Sequence, residues 1–109
     1  MNELLDFVNT NTETSNEVKN NAILIINSLS NLFISTFNID DIYVSSYKTI
    51  IIEHITGKNI FSIEIGKYNF GYFSMIDDKT IHFVESEDFN DGSIKQMNLD
   101  FEDYKKRLS

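Results

Sequence analysis

The chain has 109 residues, 41% of them hydrophobic, no cysteine and no proline, and a formal net charge of −8 at pH 7. That length predicts a single domain over 1–109 with one modest core, and the lack of cysteine excludes disulfides, thiolate nucleophiles and cysteine-based zinc or iron–sulfur sites. The acidic balance disfavours attraction to nucleic acid or anionic lipid, so neither is expected as a direct partner.

The opening "MNELLDFVNTNTET" lacks the basic start, apolar middle and small-residue cleavage site of a signal peptide. No apolar stretch approaches the roughly 20 residues that cross a bilayer, so a cytoplasmic location is the expectation. Residues 1–14 are read as a loosely docked N-terminal arm or a short helical turn. Thr14-Ser15-Asn16-Glu17 then forms a capping-box pattern, Thr14 accepting from a first-turn N–H and Glu17 reaching back. Val18, Ala22, Ile25, Ile26, Leu29, Leu32 and Phe33 recur at three- and four-residue spacing, which predicts one long helix of about five turns. It should end near "TFNIDD", where Asn38, Asp40 and Asp41 can satisfy turn backbone groups.

Strand patterns follow: "IYVSSY", "TIIIEHIT", "NIFSIEI", "NFGYFSMI" and "KTIHFVE", the first two readable as one long or bent strand. They predict an α+β fold in which a four- or five-stranded antiparallel meander packs against the long helix. Two-residue turns at 57–58 and 77–78 and a four-residue turn at 66–69 set the register: 55 opposite 60, 63 opposite 72, 73 opposite 82. One face then receives Ile50, Ile52, Phe61, Ile63, Ile65, Phe70, Tyr72, Ile76, Ile81 and Phe83, and should be the core. The other receives Ile51, Glu53, Ile55, Ile60, Ser62, Glu64, Phe73, Met75, Thr80, His82 and Val84, more apolar than an ordinary wet face. A short C-terminal helix carries Phe101, Tyr104 and Leu108 on one side, with acids at its start and Lys105, Lys106 and Arg107 at its end. Its expected place is over this second face.

The charge is uneven along the chain. Residues 77–103 hold nine acids and two bases, whereas the rest holds eight acids and seven bases. An EF-hand reading of the acidic run, with Gly92 at loop position 6, puts Phe89 at position 3 and Asn98 at position 12, so the bidentate ligand is missing. The acid pairs Asp40-Asp41, Asp77-Asp78 and Glu87-Asp88 read as solvated turns, without the concave site that paired-carboxylate catalysis needs. His54 and His82 have no metal-ligand companions at a recognised spacing, and no phosphate loop, nucleophile elbow or placed Ser/His/Asp set is visible. No catalytic, cofactor-binding or metal-binding residues are therefore expected, and no cofactor.

What remains is an acidic surface beside an apolar one, the composition of a protein interface with a basic partner. The expected protein-binding residues are Ile55, Ile60, Phe73 and Met75 at the centre, with Glu53, Glu64, Glu85, Glu87, Asp88 and Asp91 around them. This reads as a small inhibitor or regulator of a basic protein, such as a nuclease or another nucleic-acid-handling protein. Nuclease immunity proteins, uracil-glycosylase inhibitors and phage-encoded inhibitors of restriction or CRISPR systems share this size and charge. The parallel is one of physical type, since no diagnostic motif ties the chain to them. The alternatives are a homodimeric structural or assembly protein using the apolar sheet face, and a small enzyme with a pocket between helix and sheet.

Overall fold

The computed structural model describes residues 2–109. Helices α1 (Glu3–Thr10), α2 (Asn16–Asn27) and α3 (Asn31–Thr36) lead through a 3-10 turn (Ile39–Asp41) into five strands. These are β1 (Ile42–Val44), β2 (Ile50–Thr56), β3 (Asn59–Ile65), β4 (Phe70–Ile76) and β5 (Lys79–Glu87), followed by helix α4 (Asp91–Leu108). Neighbouring strands pair antiparallel in chain order, so the α+β meander of the sequence reading is present with five strands. "IYVSSY" and "TIIIEHIT" are two strands, not one: Lys48 takes a positive φ of 64°, and the Ser45 hydroxyl accepts the N–H groups of Tyr47 and Thr49 to close the turn between them.

The N-terminal arm is a docked helix. Asn2 caps α1 by accepting from the N–H groups of Leu4 and Leu5, and Leu4 and Val8 are buried in the main core. The single five-turn helix expected after it is broken in two. Ser15, one residue later than expected, caps α2 by accepting from Val18 N–H. After α2 ends at Asn27, Ser30 caps α3 by accepting from Phe33 N–H. Asn98 of α4 holds the break: its Oδ1 accepts from Ser30 N–H at 3.0 Å and its Nδ2 donates to the Ser28 carbonyl at 3.0 Å. A side chain from the far end of the chain thus serves two backbone groups that the interrupted helix leaves free.

The C-terminal helix is neither short nor on the second face. It runs 18 residues from an Asn90 cap, and buries Ile94, Met97, Phe101 and Tyr104 on the same side of the sheet as the other helices. Phe101 stacks on Phe33 of α3 with centroids 3.9 Å apart, and both rings meet the edge of Phe61 from β3. All four helices contribute to one cluster with Ile50, Ile52, Phe61, Ile63, Ile65, Phe70 and Tyr72. The opposite sheet face receives none of them.

The turns behave as the sequence predicts up to β4. Ile55 faces Ile60 and Ile63 faces Tyr72, and Asp77 and Asp78 both take positive φ in the tight turn before β5. The register then departs from expectation. Phe73 faces Phe83, and Ser74 faces His82, because β5 carries an extra residue, Ile81, between the pairs Ser74–His82 and Met75–Thr80. This bulge exchanges faces for the residues that follow it: Phe83, expected in the core, is 68% exposed on the outer face, while His82 turns toward α4.

Replacing Asn98 by alanine should lower unfolding free energy by about 1–2 kcal/mol, since two backbone groups at the α2–α3 break lose their partner. Tyr104→Phe should hold or raise stability, because the buried Tyr104 hydroxyl has no hydrogen-bond partner among the described residues. Urea denaturation of the two variants beside the wild type checks both.

Candidate functional site

Two polar constellations stand out, one on each face of the sheet. On the helix side, Ser74 Oγ lies 2.6 Å from His82 Nδ1, His82 Nε2 lies 3.0 Å from Asp103 Oδ2, and Arg107 Nε donates to the same carboxylate oxygen at 2.8 Å. An Nε2–H donating to Asp103 leaves Nδ1 to accept from the serine hydroxyl, which satisfies all three groups. Beside them Tyr72 donates to Asp100 at 2.7 Å, and Gln96 Nε2 donates to the other oxygen of Asp100. The order serine, imidazole, carboxylate matches that of a hydrolytic triad, but Ser74 is fully buried and no substrate carbonyl reaches its oxygen. The chain of bonds fastens α4 to β4 and β5. Sequence reasoning missed it because His82 was assigned to the other face, a consequence of the Ile81 bulge.

Two titratable groups here are displaced by their surroundings. Burial, reinforced by the bond to Asp100, pushes the Tyr72 phenol well above the ordinary tyrosine value. The bond from Arg107 lowers the Asp103 carboxyl, helped by His82. His54, on the other flank, lies 3.2 Å from Asp41 and edge-on to Phe37, a packing arrangement at the end of the 3-10 turn.

The outer face holds the second constellation. A groove of about 300 Å³ crosses β2 to β5, lined by Ile51, Glu53, Ser62, Glu64, Gly71, Tyr72, Phe73, Phe83, Val84 and Glu85. At Gly71, the outward position between the core-facing Phe70 and Tyr72, there is no side chain and the backbone of β5 closes on the strand. The absence is obligatory. A methyl group there would stand 2.5 Å from the Glu85 carbonyl oxygen and 2.8 Å from that of Val84. At this point Gly71 alone spans Glu85 and Ser86 in a second irregularity of β5, between the pairs Phe70–Glu87 and Tyr72–Val84.

Three carboxylates edge the groove. Glu53 accepts from the nearly buried Ser62 hydroxyl at 2.9 Å and Glu64 from the Thr49 hydroxyl at 2.7 Å, each through Oε2. Glu85 makes no hydrogen bond or ion pair with another described residue. The negative field extends to Tyr43 on β1, whose phenol is pushed up by burial and by the charges of Glu53 and Glu64.

The expected protein-binding residues divide into three sets. Phe73, Glu53, Glu64 and Glu85 line the groove. Ile55, Ile60 and Met75 form a continuous cross-strand row further along the same face, with Ile55 59% exposed. Glu87, Asp88 and Asp91 lie elsewhere, at the approach to α4, where Ser93 donates to Glu87 and Asp91 sits in the first helical turn. Two of the groove's acids, Glu53 and Glu64, come from strands outside the acid-rich third, and Phe83, not among the expected residues, joins them only through the bulge. Among the described residues no cluster of three or more His, Cys, Asp or Glu side chains could hold a metal ion, and no helix is long and apolar enough to cross a membrane. No known protein family, curated protein or solved structure compared with the chain matches it.

The Tyr72 displacement sets a pH dependence. Above the ordinary tyrosine value of about 10 the unfolded chain loses the phenol proton while the folded chain keeps it, so the stability this group contributes is full below that pH and falls as pH rises further. Tyr72→Phe should flatten this alkaline decline while lowering stability at neutral pH by loss of the Asp100 bond. Unfolding measured from pH 7 to 11 reads both effects.

Proposed function

We propose that the protein is a small cytoplasmic binding protein, not an enzyme, that inhibits or regulates a basic, nucleic-acid-handling protein by covering its cationic site. The observation that carries this reading is the bare outer sheet face. Phe83, Phe73, Ile55 and Met75 lie there in one plane with Glu53, Glu64 and Glu85, and every helix packs on the other side. Exposed apolar side chains amid polar ones make a desolvable centre and a rim. Carboxylates held on a sheet offer Lys and Arg the same accepting anions as a phosphate backbone does. A net charge of −8 speeds encounter with a positive surface.

The division of the acids makes the reading testable. Immobilised wild type should retain a basic protein from nuclease-treated host extract at low salt and release it as salt rises. Retention should be lost with Phe83→Asp and with the pair Glu53→Lys and Glu64→Lys, and kept with Glu87→Lys and Asp91→Lys, all checked for folding by circular dichroism. The retained protein should also lose its hold on nucleic acid when the wild type is added. Equal loss in both variant sets, or a wild type that only associates with itself as its concentration rises, would overturn the assignment and favour an assembly role.

A further inference from the structure

We propose that the groove over Gly71 is a receptor for a guanidinium group, so that the partner is anchored by an arginine side chain and not by basic charge in general. The proposal rests on the partner-binding reading above and names the chemistry of its contact. The groove is acceptor-rich in two independent ways. The carboxylates of Glu53 and Glu64 each have one oxygen engaged by a hydroxyl, leaving Oε1 of each without a donor among the described residues, and Glu85 has both oxygens free. The carbonyl oxygens of Val84 and Glu85 also stand over the outer side of Gly71, brought there by the β5 irregularity. No lysine or arginine lines the groove to neutralise them.

Acceptors at several bearings suit a planar fork of five N–H donors better than the compact ammonium of lysine. The hydrophobic surface points the same way. Phe73 and Phe83 are cross-strand partners in the groove wall, and a guanidinium plane stacks on aromatic rings while its methylene stem covers apolar surface. A bare metal ion is a poor alternative, because no metal-holding cluster exists among the described residues. A second copy of this chain offers only Arg107, whose side chain is engaged by Asp103 at 2.8 Å on its own helix, so the proposal takes its arginine from another protein.

The test uses the full chain labelled with nitrogen-15 and three blocked tripeptides, Gly-Arg-Gly, Gly-Lys-Gly and Gly-citrulline-Gly, the last being a neutral isostere of the first. The arginine peptide should give saturable amide shifts at Gly71, Phe73, Phe83, Val84 and Glu85. The lysine peptide should bind about threefold more weakly, and the citrulline peptide should leave those amides unmoved. Glu64→Gln and Glu85→Gln should each weaken arginine binding by about threefold. Phe83→Ala, at a side chain exposed enough to leave folding intact, should weaken it too. Shifts centred on Glu87, Asp88 and Asp91, equal binding of the lysine peptide, or no saturable shift would overturn the proposal. If the arginine peptide fills the groove but no basic protein is retained by the outer face, the functional reading falls and the receptor stands. If a basic protein is retained there but the peptides bind alike, the receptor falls and the functional reading stands.

Discussion

The stack of Phe33 on Phe101, seated on Phe61, is the contact on which the rest of the molecule depends. Its members come from α3, α4 and β3, and all three rings are fully buried. Rings 68 residues apart in sequence are brought face to face, which requires the N-terminal helices and α4 to occupy the same side of the sheet. Each such aromatic buries on the order of 150–250 Å², so together they outweigh any single polar contact in the fold. Asn98 then fixes how the helices meet, tying the α2–α3 break to α4, and the Ser74–His82–Asp103 chain fixes α4 against β4 and β5. A chain this size has few helices to spare. With all four on one face, the other is left without a cover, and the exposed Ile55 and Phe83 follow directly from where Phe101 is buried.

How much of this was legible in the sequence depends on how local the determinant is. The turns at 57–58 and 66–69 are specified by their own residues, and the register from β2 to β4 follows from them with no further information. The bulge at Ile81 is different. No residue in "KTIHFVE" announces it, so a count from the turn places the side chains that directly follow, Phe83 among them, on the wrong face. Gly71 is a sign only of the second irregularity, opposite Glu85 and Ser86, since glycine inside a strand marks a bulge or a close backbone approach. The helix break was legible in principle: Ser28 and Ser30 are natural capping residues in the middle of an apolar stripe, but the stripe continues through them and conceals the interruption. The length of α4 was masked by its acids, although Asn90 before Asp91 and Ser93 is an ordinary helix start.

The acid-rich third of the chain takes on a different meaning once folded. Asp77 and Asp78 form a turn, Asp91 complements the start of a helix, Asp100 accepts from Tyr72, and Asp103 holds His82 and Arg107. These charges have structural employment. Two of the three groove carboxylates, Glu53 and Glu64, come instead from the portion of the sequence whose acids and bases nearly balance. Charge density along a sequence does not show which acids share a surface, because strand pairing, and not sequence proximity, gathers side chains onto a sheet face.

The same distinction bears on how the outer face can discriminate among partners. The groove carboxylates are open to water and each attracts a cation only weakly, by less than about 1 kcal/mol. Long-range charge alone would admit any basic surface and would be screened within about 10 Å at 0.1 M salt. Selectivity has to come from contacts that act at short range and have a direction. The two carbonyl oxygens over Gly71 have both properties, being fixed by the backbone of β5 with no side-chain entropy to lose on binding. The bulge that defeats register counting is thus also what sets Phe83 beside those carbonyls. An irregular strand supplies geometric specificity to a surface whose net charge could supply only attraction.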